Sequence, residues 1–146
     1  MAQVVFLTGV VDAPELALRL VRKKHREGGR VVVCGPDFLL DPLGALLWQH
    51  EETSFLPHLR QPAADGDWPP DSSLALTRVW LLNRPQDGLR CDSVINLGLD
   101  DFGWLTGFER IAEVVGSDAQ LRASGRARWK RYEAEGHTLV HRPQSP

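Results

Sequence analysis

Three groups of residues in this chain are of types that could do chemistry: a cysteine closing an apolar run, scattered histidines with a pair of acids, and a row of cations beside a tryptophan. Cys34 ends the run Val31-Val32-Val33-Cys34, and strand ends in open α/β sheets often carry catalytic groups. A cysteine nucleophile needs a base within reach. No sequence feature supplies one, and a free cysteine is commonly a small buried hydrophobe. Five histidines are scattered along the chain. His137 and His141 stand four apart in a segment that reads as a strand, too far apart there to share a metal easily, and no Cys or acid pattern joins them. Asp100-Asp101 is placed to cap a helix before it holds a cation. There is no G-x-G-x-x-G and no Walker A loop, so phosphate cradling lacks its usual backbone nest. No cofactor and no metal are expected.

The cations are more telling. Between Leu121 and Tyr132 stand Arg122, Arg126, Arg128, Lys130 and Arg131, with no acid among them. On a helix Arg122, Arg126 and Lys130 fall at i, i+4 and i+8 and form one stripe. Like charges so spaced repel and destabilise an isolated helix by ~0.2–0.5 kcal/mol per pair, and a plain solvated face would mix in acids. Trp129 flanks the stripe. A cationic row beside an indole suits an acidic ligand with an apolar end; a solvated charged face is an equal alternative, and a nucleic-acid strip comes behind both. A second unusual run is Leu47-Trp48 followed by Ser54-Phe55-Leu56-Pro57-His58. Large apolar groups on a helix end and its loop either plug the core, the reading favoured by residue chemistry alone, or form a partner patch.

These residues need a frame. Val4 to Val11 is short, apolar and β-branched, and reads as a buried strand. Asp12, Pro14 and Glu15 open a helix with Leu16, Ala17, Leu20 and Val21 on one side, and Gly28-Gly29 stops it. Arg30 to Cys34 is a second strand, so a βαβ unit with a parallel pair is expected. Phe38 to Trp48 reads as a helix weakened by Pro42 and Gly44. Residues 60–73 read as a proline-rich loop. Leu74 to Leu82 and Ser93 to Gly98 read as strands whose link is short for a parallel crossover, which points to a mixed sheet. Leu105, Phe108, Ala112 and Val115 give a helical stripe, capped by Asp100 or Asp101. Ser117 with Gln120 opens a further helix that runs to about Glu135 and ends at Gly136, and His137 to His141 form a final short strand.

With 146 residues, 42% hydrophobic, 25% charged and a formal net charge of −2, the chain has the composition of one globular domain. One domain over residues 1–142 is expected, with a loose tail at 143–146. No apolar run approaches the ~18 residues of a membrane span. The N-terminus lacks the basic region of a signal peptide. Cys34 and Cys91 are far apart in sequence, so no disulfide is expected and a cytoplasmic location is the default. The near-neutral charge makes any attraction to acidic partners local.

The two unusual features together, in this order, resemble the chi subunit of bacterial DNA polymerase III. The family pattern is Leu-Trp followed by Ser-Phe-x-Pro-His, here Leu47-Trp48 and Ser54-Phe55-Leu56-Pro57-His58. Its C-terminal helix reads Ala-Arg-x-Arg-aromatic-Lys-x-Tyr and then Gly, here Gly125-Arg126-Ala127-Arg128-Trp129-Lys130-Arg131-Tyr132 and Gly136. Phe108, Val114 and Val115 match the helix before it. The chain departs from the pattern at Gly125, where Ala is usual, at Gly44, where Asp is common, and in the proline content of 60–73.

The resemblance implies a three-layer Rossmann-like α/β fold, with a central mostly parallel or mixed sheet flanked by helices and no nucleotide. It implies a non-catalytic accessory subunit of the clamp-loader assembly. That subunit would touch DNA only indirectly and would bind the acidic C-terminal tail of single-stranded-DNA-binding protein. Carried over by motif, the tail site is Val115, Arg122, Arg126, Trp129 and Lys130. The surface similar to the one that meets the psi subunit, or another clamp-loader subunit, is Trp48, Phe55 and Pro57. The competing readings are a small enzyme using Cys34 and a direct single-strand binder using the 121–132 helix.

Overall fold

The computed structural model describes residues 2–49, 57–62 and 77–144. Seven strands form one sheet: β1 (Gln3–Val10), β2 (Val31–Cys34), β3 (Leu59–Arg60), β4 (Val79–Leu82), β5 (Ser93–Asn96), β6 (Arg110–Gly116) and β7 (Thr138–Pro143). Among the described residues four helices accompany them: α1 (Ala13–Arg26), α2 (Asp37–Gln49), α3 (Phe102–Leu105) and α4 (Ala119–Ala134). The strand order is β3-β4-β2-β5-β6-β1-β7, and every pairing is parallel.

Burial explains that order. All residues of β2, β4 and β5 are buried, as strands covered on both faces must be. The half-buried β3 and the mostly exposed β7 form the edges. Two apolar clusters sandwich the sheet. One joins Leu16, Ala17 and Val21 of α1 and Leu40, Leu43 and Leu47 of α2 to Val33, Leu81, Ile95 and Val114. The other joins Phe102, Leu105 and Tyr132 to Val4, Phe6, Val32, Val94, Ile111 and Val115. The alternate faces of each strand thus feed opposite layers, which makes the three-layer α/β architecture.

Local signals hold at several helix ends. Asp12 caps α1 by accepting from the Glu15 N–H at 3.1 Å, and Gly28 takes φ +76° just past its end. Pro42 lies inside α2, yet the helix continues. Leu40, Leu43 and Leu47 are all fully buried, and burying each contributes ~1.5–3 kcal/mol, enough to offset one lost hydrogen bond. No helix among the described residues is long and apolar enough to cross a membrane.

Three expectations are corrected. The expected mixed sheet is all parallel: β4 and β5 flank β2 rather than each other, so their short link only steps over one strand, ~10 Å. Similarly β1 and β2 run parallel but are not neighbours, because β5 and β6 lie between them. The stripe Leu105, Phe108, Ala112, Val115 does not lie on one helix. Asp101 caps the four-residue α3, accepting from the Trp104 N–H, and 110–116 is strand β6. There Ile111, Glu113 and Val115 face α4 while Ala112 and Val114 face α1. A further correction concerns the cap of α4, which is Asp118 rather than Ser117: its carboxylate accepts from the N–H groups of Gln120 and Leu121 at 2.9 and 3.1 Å. The final strand extends to Pro143, and the Gln144 N–H donates to Thr8 O at 2.8 Å.

Candidate functional site

The cation row lies on α4, and a buried polar network sets how that helix sits on the sheet. Glu113 of β6 is fully buried. Its Oε2 accepts from Arg128 Nε at 3.0 Å and from the Tyr132 hydroxyl at 2.9 Å. Its Oε1 accepts from Asn96 Nδ2 at 3.0 Å. Asn96 Oδ1 in turn accepts from the N–H groups of Gly98 and Leu99 at 3.0 and 2.7 Å. Arg128 reaches outward to an ion pair with Asp100. Burial pushes the Glu113 carboxyl up from its ordinary value, while Arg128, Asn96 and Tyr132 pull it back. Burial and Glu113 together raise the Tyr132 phenol, which therefore stays a donor. A half-satisfied network of this kind is costly in a low-dielectric interior, so this one fixes both the position and the rotation of α4.

One of the five cations is thereby drawn into the protein, and a second, exposed, lies over an aromatic ring. Arg128 is 5% exposed, and the Arg131 guanidinium stacks 4.2 Å over the Phe102 ring. With Arg128, Tyr132 and Gly125 turned inward, the next face of α4 borders a hollow of about 300 Å³. Arg122, Gly125, Arg126 and Trp129 line it from the helix, and Phe6, Thr8, Gly9, Val115 and His141 line it from the sheet. The helical offsets 0, 3, 4 and 7 bring those four helix residues to one side.

The walls are mostly apolar. Trp129 meets Phe6 edge-on at 5.0 Å and His141 at 6.2 Å. The Thr8 hydroxyl and His141 Nε2 are 2.6 Å apart, which ties β1 to β7 at the rim. The β1–β6 register shifts between Leu7 and Val10. Gly9 takes φ +66° in that irregularity, a conformation glycine adopts without strain. Gly125 forms the floor with Val115. A Cβ there would stand 3.1 Å from Val115 Cγ2, so the glycine that departs from the expected alanine lets helix and strand approach closely.

Of the five residues carried over by motif, Val115, Arg122, Arg126 and Trp129 meet at this hollow. Lys130 is exposed on α4 but is not part of the lining. At about 100° per residue it lies one step further round the helix than Trp129. Sequence reasoning missed Phe6, Thr8, Gly9 and His141. They arrive through the pairing of β1 with β6 and β7, which leaves no local signal. The hollow joins cations to an apolar pit, an arrangement that can hold an anionic group together with an apolar one.

The second surface lies at the other edge of the sheet. Trp48 is 69% exposed at the end of α2, its ring 5.9 Å from that of His58, and Pro57 is exposed. Phe55 lies outside the described residues. Phe38, also on α2, is 64% exposed. Arg60 of β3 bonds Asp41 at 2.8 Å and also pairs with Asp37, bracing α2 against this edge.

Cys34 is fully buried, and its thiol donates to Asn96 Oδ1 at 3.4 Å. Burial first, then the Glu113 charge, push the thiol well above its ordinary value. That is the opposite of what a nucleophile needs. His137 Nδ1 accepts from the Ala2 N–H at 3.1 Å, while His141 faces the hollow.

Comparison with known proteins agrees with this architecture. The family model described as DNA polymerase III chi subunit, HolC, matches residues 1–140. The DNA polymerase III subunit chi of Pseudomonas aeruginosa is 29% identical over 126 residues, spanning 86% of this chain and 82% of that relative. The chain belongs to the family of chi subunits, accessory components of DNA polymerase III.

Proposed function

We propose that this chain is a non-catalytic member of the clamp-loader assembly that links the replicase to single-stranded-DNA-binding protein by seating that protein's acidic C-terminal tail between α4 and the β1–β7 edge. One observation carries the reading: Arg122 and Arg126 border an apolar hollow walled by Trp129, Phe6 and Val115. Guanidinium groups grip carboxylates in bidentate fashion, and the pit beside them takes a terminal aromatic ring. Lys130, one step round the helix, adds long-range attraction for acids upstream in the tail. Trp48, Phe55 and Pro57 are the surface for psi or another clamp-loader subunit, since large exposed aromatics are typical interface anchors.

The competing readings lose support. A thiol as deeply buried as Cys34 is a poor nucleophile, and the burial of Arg128 against Glu113 takes the middle cation out of the strip a single strand would track. A labelled acidic peptide ending in Pro-Phe, titrated by fluorescence anisotropy, tests the assignment. Micromolar binding is expected (~−8 kcal/mol at 1 μM), weakened at least tenfold in Arg126→Ala. Unchanged binding in that variant, or stronger binding of a single-stranded oligonucleotide, would overturn it.

A further inference from the structure

Among the described residues, the α1 side of the sheet is not fully roofed. Register aligns Val140 of β7 with Val5 of β1, Val5 with Ala112 of β6, and Ala112 with Ile95 of β5. These four side chains form an apolar row across four strands, ~14 Å wide. Helix α1 borders the row with Leu20 and Lys24, and between α1 and the β7 edge lies an open groove of about 510 Å³. Val140 is 43% exposed on its floor, and Val5 and Ala112 are only partly buried. Parallel sheets are almost always covered on both faces by helices, so an open apolar row beside α1 marks the place of a missing helix.

The rim shows what kind. Lys24, Arg110 and Arg142 all border the groove, and no acid among the described residues is in its lining. Among the described residues none of the three cations is in an ion pair. Arg142 lies two residues beyond Val140, and Arg110 two before Ala112, so positive charge stands at opposite corners of the apolar row.

We propose that this groove seats an amphipathic helix from a partner protein, with an apolar ridge over Val140, Val5 and Ala112 and with Asp or Glu along its flanks. A helix is ~10 Å across, the distance spanned by the two strand spacings from β7 to β6. A second copy of this chain fits less well. A twofold dimer would set the patch on itself and bring like cations together. Pairing through the β7 edge meets Arg142 and Pro143, residue types that block edge-to-edge addition. The groove is on the opposite face of the sheet from the α4 hollow, so the proposal stands apart from the tail-binding reading.

The test uses an 18-residue helical peptide with leucines on one ridge and glutamates on both flanks, titrated against the full chain by anisotropy. Micromolar binding is expected. It should fall at least tenfold in Arg110→Glu/Arg142→Glu, and at least tenfold when lysines replace the peptide's glutamates, while Arg126→Ala leaves it unchanged. Absence of binding to the unaltered chain, equal binding to the double variant, or loss in Arg126→Ala would overturn the proposal. So would a dimer in sedimentation equilibrium that Val140→Glu dissociates, since the occupant would then be a second copy.

Discussion

Arg128 Nε donates to Glu113 Oε2 at 3.0 Å, joining the middle of α4 to the middle of β6 in a site where Glu113 is wholly buried and Arg128 nearly so. The pair orients the helix that carries Arg122, Arg126 and Trp129. A buried charge left without its partner costs far more than the pair contributes. Arg128→Met should therefore destabilise the protein by ~3–5 kcal/mol, read as a lowered urea midpoint. Replacing Glu113 together with Arg128 by apolar residues should recover part of that loss. A single variant as stable as the parent would show that the pair does not hold α4.

Charge and ring contributions at the hollow should separate by salt. In the proposed tail site Arg126 would act through Coulomb attraction, which salt screens over a Debye length of ~8–10 Å. Trp129 would act mainly through apolar contact. In peptide titrations from 50 to 500 mM NaCl, Arg126→Ala should flatten the salt dependence. Trp129→Ala should weaken binding at every salt concentration and leave the slope as it was. Equal slopes for parent and Arg126→Ala would remove Arg126 from the site.

Gly125→Ala sets two effects against each other. Alanine favours a helix by ~1 kcal/mol over glycine, but its Cβ would stand 3.1 and 3.3 Å from the two Val115 γ-carbons. The expected outcome is a melting temperature near that of the parent with severalfold weaker peptide binding, because the methyl raises the floor of the hollow. Calorimetry and anisotropy on the same preparation check it. Unaltered affinity would show that the floor does not touch the ligand.

Cys34 should resist alkylation. Its thiol is raised well above the ordinary value, chiefly by burial. An acid so raised is favoured in its neutral form in the folded state. That contribution is complete below the unfolded value and is lost only as pH climbs through the folded one. Between pH 7 and 9 the folded protein should show little rise in iodoacetamide labelling at Cys34, while the urea-unfolded chain labels rapidly. Mass spectrometry of the Cys34 peptide measures both rates. Fast labelling of the folded protein would restore the enzyme reading.

Much of the helical wall of the hollow was legible because it is local. The i, i+3, i+4, i+7 relation of Arg122, Gly125, Arg126 and Trp129 follows from helical period alone, and Gly136 marked the helix end. The element beneath was not legible. Phe108, Ala112 and Val115 fall by chance at helical spacing, and the inward acid Glu113 breaks the apolar alternation by which β6 would have been recognised. Only the partners of Glu113, namely Asn96, Arg128 and Tyr132, make sense of an acid at that position. Strand order was equally out of reach, since it depends on contacts between residues as distant as Val5 and Val140. Gly125 is the opposite case. It was visible as a departure, and its meaning needed Val115 in view.

The hollow and the exposed Trp48 border opposite ends of one unbroken sheet. Six interstrand spacings separate β3 from β7, about 29 Å. Occupants docked at the two borders would not overlap. The stiff β-layer would act as a strut of fixed length, transmitting a pull on one occupant to the other without any flexible tether in between.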